Sequence, residues 1–256
     1  MVSDSEEYYL MTNLLLKISE IEVAIKAFSD FDAEKRIKRL HLENRFNKNH
    51  SIILGGFEDL KVLSRRLDDT IQELVAQESR VQQMPAYKQT KSGLYPAEVQ
   101  IEMKKCDRLS AEVKVDFKAL YLFSKILLDQ YVKFLYFVNP IDGVRSGSVA
   151  SFLNSIENVD SKIHFYEQLI EKLKITSTHV LDKLVFYRDK KIEHSQLLNE
   201  DVWFMNDMRG GITISHVDRN GSDNVSTMKP DELVGLVADF FTITSRFFSE
   251  NIASIK

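Results

Sequence analysis

The sequence predicts an all-α protein, an up-and-down helical bundle with an N-terminal helical extension and a small β-hairpin before the last helix. Three observations predict it. Only nine glycines and four prolines punctuate 256 residues, and such sparse breakers leave long stretches free for helices. Apolar residues recur at the helical period of about 3.6 through most of the chain. The period changes to alternation only in DVWFM and GITISHV, residues 201–205 and 211–217, which read as paired strands.

Taken in order, residues about 3–28 form a first helix, with Leu10, Leu14, Ile18, Ile21 and Ile25 on one face. Residues about 33–82 form one or two more, carrying Ile37, Leu40, Leu60, Leu63, Leu67, Ile71 and Leu74, with Gly55-Gly56 as an expected interruption. Met84–Pro96 holds two prolines and a glycine and is the expected linker. A long helix covers about 97–138, the loop NPIDGVRSGS follows, and another helix covers about 160–173. Thr176 or Ser177 offers an N-cap for the next helix. After the strands, Asn220-Gly221 marks a turn. A last helix starts near Pro230, with Asp231 and Glu232 in its first turn. Leu233, Leu236, Val237, Phe240, Phe241, Thr244, Phe247 and Phe248 make its stripe, mostly core, with part available to a dimer interface. The domain reading is a helical extension at 1–84, a linker at 85–96 and a bundle at 97–256. No internal repeat and no sustained coiled-coil heptad is expected.

Composition narrows the function classes. The chain is 44% apolar and 28% charged, enough for a substantial core. Its net charge of −4 gives no global attraction to nucleic acid or anionic membrane, so a basic site must be local. A single cysteine, Cys106, excludes a disulfide framework and a Cys-rich metal site. Neither a signal peptide nor an apolar run long enough to cross a membrane is visible. The expectation is a soluble protein of the cytoplasm.

Two charges fall on apolar faces. On the long helix, Leu109, Val113, Leu120, Leu127, Tyr131, Phe134 and Val138 share one arc, and Asp116 sits near its centre. Lys114, Lys118, Lys125 and Asp129 fall opposite. On a later helix Leu181, Leu184, Val185 and Ile192 define the core face, with Arg188 at its centre. A buried unpaired charge costs several kcal/mol, so Asp116 and Arg188 are expected to meet. The pair either fixes helix register or places Arg188 in a cleft with Asp116 orienting it.

Arg188 opens a chemical possibility with its neighbours in YRDKKIEHS, Tyr187–Ser195. Arginine can bind a phosphate through two hydrogen bonds and stabilise transition-state charge. Histidine moves protons near neutral pH, and His194 is six residues on. Because the RNA 2′-hydroxyl is itself a nucleophile, such a pair could cleave RNA without metal. Tyr187 or Ser195 could add a hydrogen bond to phosphate. On an ideal helix Arg188 and His194 stand about 120° apart. They converge where the helix ends or bends near Glu193, or where a second copy supplies one of them. The competing reading is a solvated helix end with His194 favouring the C-terminal dipole. Asp189 and Glu193 share a face, but neither HExxH nor CxxC occurs, so no metal or other cofactor is expected.

An all-helical domain with R-x(4–6)-H on a late helix resembles the HEPN superfamily. Arg188-x5-His194 fits that motif, and Asp189 is similar to the polar residue usual after the arginine. FYRDKKIEHS and the upstream DFKALYLFSKILLDQY look like HEPN-like proteins of abortive-infection and toxin–antitoxin systems. Arg36–His41, Arg45–His50 and Arg209–His216 also match the spacing. Only Arg188–His194 joins it to a core-facing arginine and a following aspartate. The resemblance covers roughly residues 97–256. It implies a four- or five-helix bundle that dimerises, with the motifs of two subunits facing one cleft. It further implies metal-independent endoribonuclease activity, in which Arg188 stabilises the phosphate, His194 is the general acid or base and Asp189 orients. RNA, a homodimer partner and a protein antitoxin or regulator are the implied partners. Many HEPN-like proteins are instead inactive relatives that bind nucleotides or proteins.

The remaining candidates read as structural. His41, His50, His164 and His179 suit surface or capping roles. Trp203 suits packing of the hairpin, with a base-stacking platform as the alternative. Glu34–Arg45 mixes charge signs at helical spacing and reads as a solvated face.

Overall fold

A computed structural model of the chain describes residues 14, 16–26, 43–89, 95–138, 147–157, 171, 202–204, 212–217, 223–227 and 230–250. The helices are α1 at residues 16–26, α2 at Glu43–Gln83, α3 at Pro85–Gln89, α4 at Ala97–Val138, α5 at Val149–Glu157 and α6 at Pro230–Glu250. The core is helical, as the breaker count requires. The expected helices at 160–173 and through 187–195 lie outside the described residues, apart from Glu171, which is helical.

The frame is the antiparallel pair α2–α4, two helices of 41 and 42 residues, each about 60 Å long at 1.5 Å per residue. On α2, Ile53, Leu60, Leu67, Leu74 and Val81 are all buried and recur every seventh residue. Phe57, Ser64, Ile71 and Glu78 interleave with the same repeat. On α4, Val99, Cys106, Val113, Leu120, Leu127 and Phe134 repeat likewise, interleaved by Glu102, Leu109, Asp116, Phe123 and Gln130. This is a heptad seam, so the expectation of no sustained heptad is corrected. Ser64, Glu78, Glu102, Asp116 and Gln130 occupy seam positions, which breaks the apolar signal that a sequence reading follows.

Gly55-Gly56 does not interrupt α2, a second correction. The helix runs through both because the seam on either side, Ile53, Phe57 and Leu60, is buried at 1%, 2% and 0% exposure. Each such side chain contributes about 1.5–3 kcal/mol, against about 1 kcal/mol lost per helical glycine. Gly56 also permits a close approach. A Cβ there would stand 2.9 Å from Gln130 Oε1 and 3.4 Å from Leu127 Cδ1 of α4.

Other helices pack on this hairpin. From α6, the Phe241 ring stacks on Tyr131 at 3.7 Å between centroids, and Phe240 meets it edge-on at 6.1 Å. Thr244 donates its hydroxyl to the Phe240 carbonyl at 2.7 Å. The buried Tyr131 hydroxyl, 2.9 Å from Thr244 Oγ1, is therefore the donor of that pair. Helix α1 adds Ile18, Ile21, Ala24 and Ile25 to the same apolar cluster. The Lys17 stem lies 3.8 Å from the place of a Cβ on Gly235. A single cluster thus draws residues from both sides of the expected linker 85–96. That stretch begins with the short helix α3 at the turn between two helices that pack on each other.

Helix α5 follows directly on the expected loop, in a stretch the sequence pattern leaves unassigned; it has only nine residues. Ser148 caps it, accepting the Ser151 N–H at 3.2 Å, and Asp129 Oδ1 of α4 accepts the Val149 N–H at 2.8 Å. The other Asp129 oxygen binds Lys125 Nζ at 2.7 Å. Lys125 is buried, at 8% exposure. Both residues were expected on the side away from the core. Because α5 packs on α4, that side is also covered, and the two charges neutralise each other there.

Three strands, β1 at Val202–Phe204, β2 at Ile212–Val217 and β3 at Asp223–Thr227, form one antiparallel sheet in that order. Trp203 pairs with Thr213, and His216 with Asn224. The two-strand hairpin is therefore corrected to a three-strand meander. The third strand, DNVST, is too polar to show a strand pattern of its own.

Alanine at Gly55, where a Cβ would meet nothing within 4 Å, is expected to stabilise the protein by about 0.5–1 kcal/mol. Gly56→Ala should gain less, since the Gln130 amide must move. Urea unfolding of both variants checks the order.

Candidate functional site

Asp116 is the one sequence-selected site residue that the described structure places. It is buried, at 3% exposure, in the middle of the α2–α4 seam. Its partner is Arg66 of α2. Arg66 Nε donates to Asp116 Oδ2 at 2.9 Å, and Arg66 Nη2 donates to Asp116 Oδ1. The result is a two-point, planar guanidinium–carboxylate contact. Hydrogen bonding to Asp116, then its charge, raises the Arg66 pKa further above its ordinary value. The Arg66 side chain remains 63% exposed, so the pair spans from the seam to solvent. Val62 and Val115 beside it are 63% and 59% exposed.

Sequence reading had matched Asp116 to Arg188. Arg188, Asp189, His194, Tyr187 and Ser195 all lie outside the described residues, as does the expected meeting of Asp116 with Arg188. Arg66 was missed because it flanks the apolar stripe rather than interrupting it. The available signal was the heptad: position 66 directly precedes Leu67 on the seam, within reach of a facing carboxylate.

The other polar groups of the seam belong to the same system. Gln77 Nε2 donates to Glu102 Oε2 at 2.6 Å, and Lys105 donates to the other Glu102 oxygen at 2.7 Å. These bonds, Lys105 first, hold the Glu102 carboxyl below its usual range. Glu102, Asp116 and Gln130 stand fourteen residues apart in succession, each meeting a different α2 residue: Gln77, Arg66 and Gly56. A slip of one heptad would restore apolar layers but separate these partners, so the polar layers select the register.

None of this machinery is nucleophilic or metal-binding. Burial pushes the Cys106 thiol up, away from thiolate. Among the described residues no three His, Cys, Asp or Glu side chains gather as a metal centre needs, and no helix is long and apolar enough to cross a membrane. His50, weighed as a surface or capping residue, packs against Phe134 at 6.1 Å, and burial lowers its pKa. No family model matches the chain, nor does any curated protein or solved structure.

Removing Arg66 leaves a buried carboxylate without its partner, so Arg66→Ala is expected to cost about 1–3 kcal/mol. Asp116→Leu, an apolar residue at a seam position, should cost little, and adding it to Arg66→Ala should restore most of the loss. Urea denaturation of the three variants reads this; an Arg66→Ala protein of wild-type stability would show that the pair holds nothing.

Glu78 supplies a pH signature. Burial raises its carboxyl pKa, so the folded state holds that proton more tightly than the unfolded chain. The resulting stabilisation is present below the ordinary glutamate range and is lost as pH rises through the folded value. Glu78→Gln should therefore raise the unfolding midpoint at neutral pH and leave it nearly unchanged near pH ~3, as thermal scans at both pH values would show.

Proposed function

We propose that the chain is a metal-independent endoribonuclease of the HEPN type, serving a defence or toxin–antitoxin role. The observation that carries this reading is the engagement of Asp116. Both of its oxygens are taken by Arg66, so Asp116 has a partner of its own, and Arg188 is needed neither to neutralise it nor to be oriented by it. An arginine that the sequence pattern puts on an apolar face, and that this carboxylate does not require, suits a substrate phosphate. Asp116 then acts in the frame rather than in the reaction.

In this reading the RNA 2′-oxygen attacks the adjacent phosphorus and the bond to the 5′-oxygen breaks. A 2′,3′-cyclic phosphate and a 5′-hydroxyl end result. His194 takes or supplies the proton, Arg188 stabilises the charge on the phosphoryl oxygens, and Asp189 orients. Tyr187 or Ser195 adds a hydrogen bond to phosphate. A homodimer would bring two motifs to one cleft, and a protein antitoxin or regulator would control it in the cytoplasm. No metal or organic cofactor takes part.

A second reading, a non-catalytic helical module that binds a partner protein or nucleotide, draws support from the exposed Val62 and Val115 beside Arg66. Purified protein incubated with RNA in EDTA distinguishes the two. The ribonuclease reading expects cyclic-phosphate ends that disappear in His194→Ala while the circular-dichroism spectrum is unchanged. RNA left intact by the wild-type chain under all conditions would leave the binding module.

A further inference from the structure

The α2–α4 hairpin outruns the rest of the core. Among the described residues, the common apolar cluster reaches Leu74 on α2 and Cys106 on α4. Beyond them the two helices continue, burying Val81 and Val99, and turn through α3. Lys104 in this end stands 27 residues from Tyr131, where α6 packs, a distance of ~40 Å along the helix.

The charges of this end are asymmetric. Residues 78–106 contain five Lys or Arg and three Asp or Glu, against −4 for the whole chain. Of these acids one is bound within the hairpin, one is half-buried and Glu98 is exposed. Glu78 is half-buried at a seam position, and Glu102 binds Lys105 and Gln77. Arg80, Lys88 and Lys104 are exposed and form no ion pair within 4 Å among the described residues, though the Arg80 charge helps hold the Glu102 carboxylate. Tyr87 and Tyr95, both half-exposed, stack 5.2 Å apart at an interplanar angle of 9°, one on each side of the connection between α3 and α4.

We propose that this distal end of the hairpin is a contact surface for single-stranded RNA; the inference rests on the ribonuclease reading for its choice of ligand. Exposed cations track a phosphate backbone, and half-exposed aromatic rings offer a stacking face to unpaired bases. Both are present at one end of a rigid two-helix arm.

The test uses the full chain carrying His194→Ala, so that RNA survives, and a fluorescent single-stranded oligoribonucleotide as probe. Arg80→Glu/Lys88→Glu/Lys104→Glu is compared with its parent by anisotropy across a salt series. These side chains are exposed; because the Arg80 charge also helps hold the Glu102 carboxylate, Lys88→Glu/Lys104→Glu, which spares that contact, is carried as a second variant whose melting temperature should hold. The expected result is an affinity loss of about tenfold or more. The log–log salt slope should fall by about 2, at about 0.7 per single-strand phosphate contact. Tyr87→Leu, which keeps an apolar side chain, should weaken binding a few-fold with the slope unchanged. Unaltered affinity and slope in the triple variant would overturn the inference, as would equal losses for RNA and polyglutamate, which would mark a general polyanion surface. Cleavage in the His194 background of the wild type is scored separately. RNA cut normally with the tip reversed sinks only the tip, RNA bound through the tip but never cut sinks only the nuclease, and RNA neither bound nor cut sinks both.

Discussion

A carboxylate buried between two long helices constrains the rest of this structure. Asp116 occupies a position where the heptad calls for an apolar side chain, and burial of its charge is tolerable only with a cation in the right place on the facing helix. Arg66 supplies it with two hydrogen bonds from a guanidinium that stays largely in water. The arrangement limits the desolvation cost to one partner. It also fixes which turn of α2 faces which turn of α4, and hence where every other helix can pack.

The polar layers at Glu102 and Gln130 extend the same logic along the hairpin. Apolar heptads alone are degenerate, since any shift of seven residues repeats them. Two different polar contacts, Arg66–Asp116 and Gln77–Glu102, and the close approach of Gln130 to Gly56, spaced two heptads apart, remove the degeneracy. With the frame fixed near Tyr131, α6 lays down its aromatic stripe. At the same level Asp129 reaches across to hold the first turn of α5. Among the described residues, the opposite end of the hairpin lies beyond that cluster and carries the exposed Arg80, Lys88 and Lys104 and the stacked Tyr87 and Tyr95.

Much of this was legible before any coordinates. The long helix at 97–138, the last helix from Pro230 with its phenylalanine stripe and the burial of Asp116 all followed from periodicity, because each lies in a strongly patterned segment. Three things did not. The heptad was hidden by polar seam residues. Helix α5 was hidden by its length of nine residues. The burial of Lys125 was hidden by the assumption that a helix has one covered face, whereas α4 is packed on more than one side. The Arg188–His194 motif remains a reading of the sequence, and the geometry bears on it only through Asp116.

By itself the sequence determined an all-helical core, the positions of its long helices and the fact that a charged residue would sit inside it. Those features depend on the spacing of side chains along one chain, which spacing alone encodes. Only the tertiary structure decided that Arg66, fifty residues away, meets that charge, that Gly56 admits Gln130, and that Asp129 caps a helix twenty residues further on. These are choices of register between separate segments. Many registers satisfy the same apolar pattern, and only the facing polar groups, brought within hydrogen-bonding distance, tell them apart.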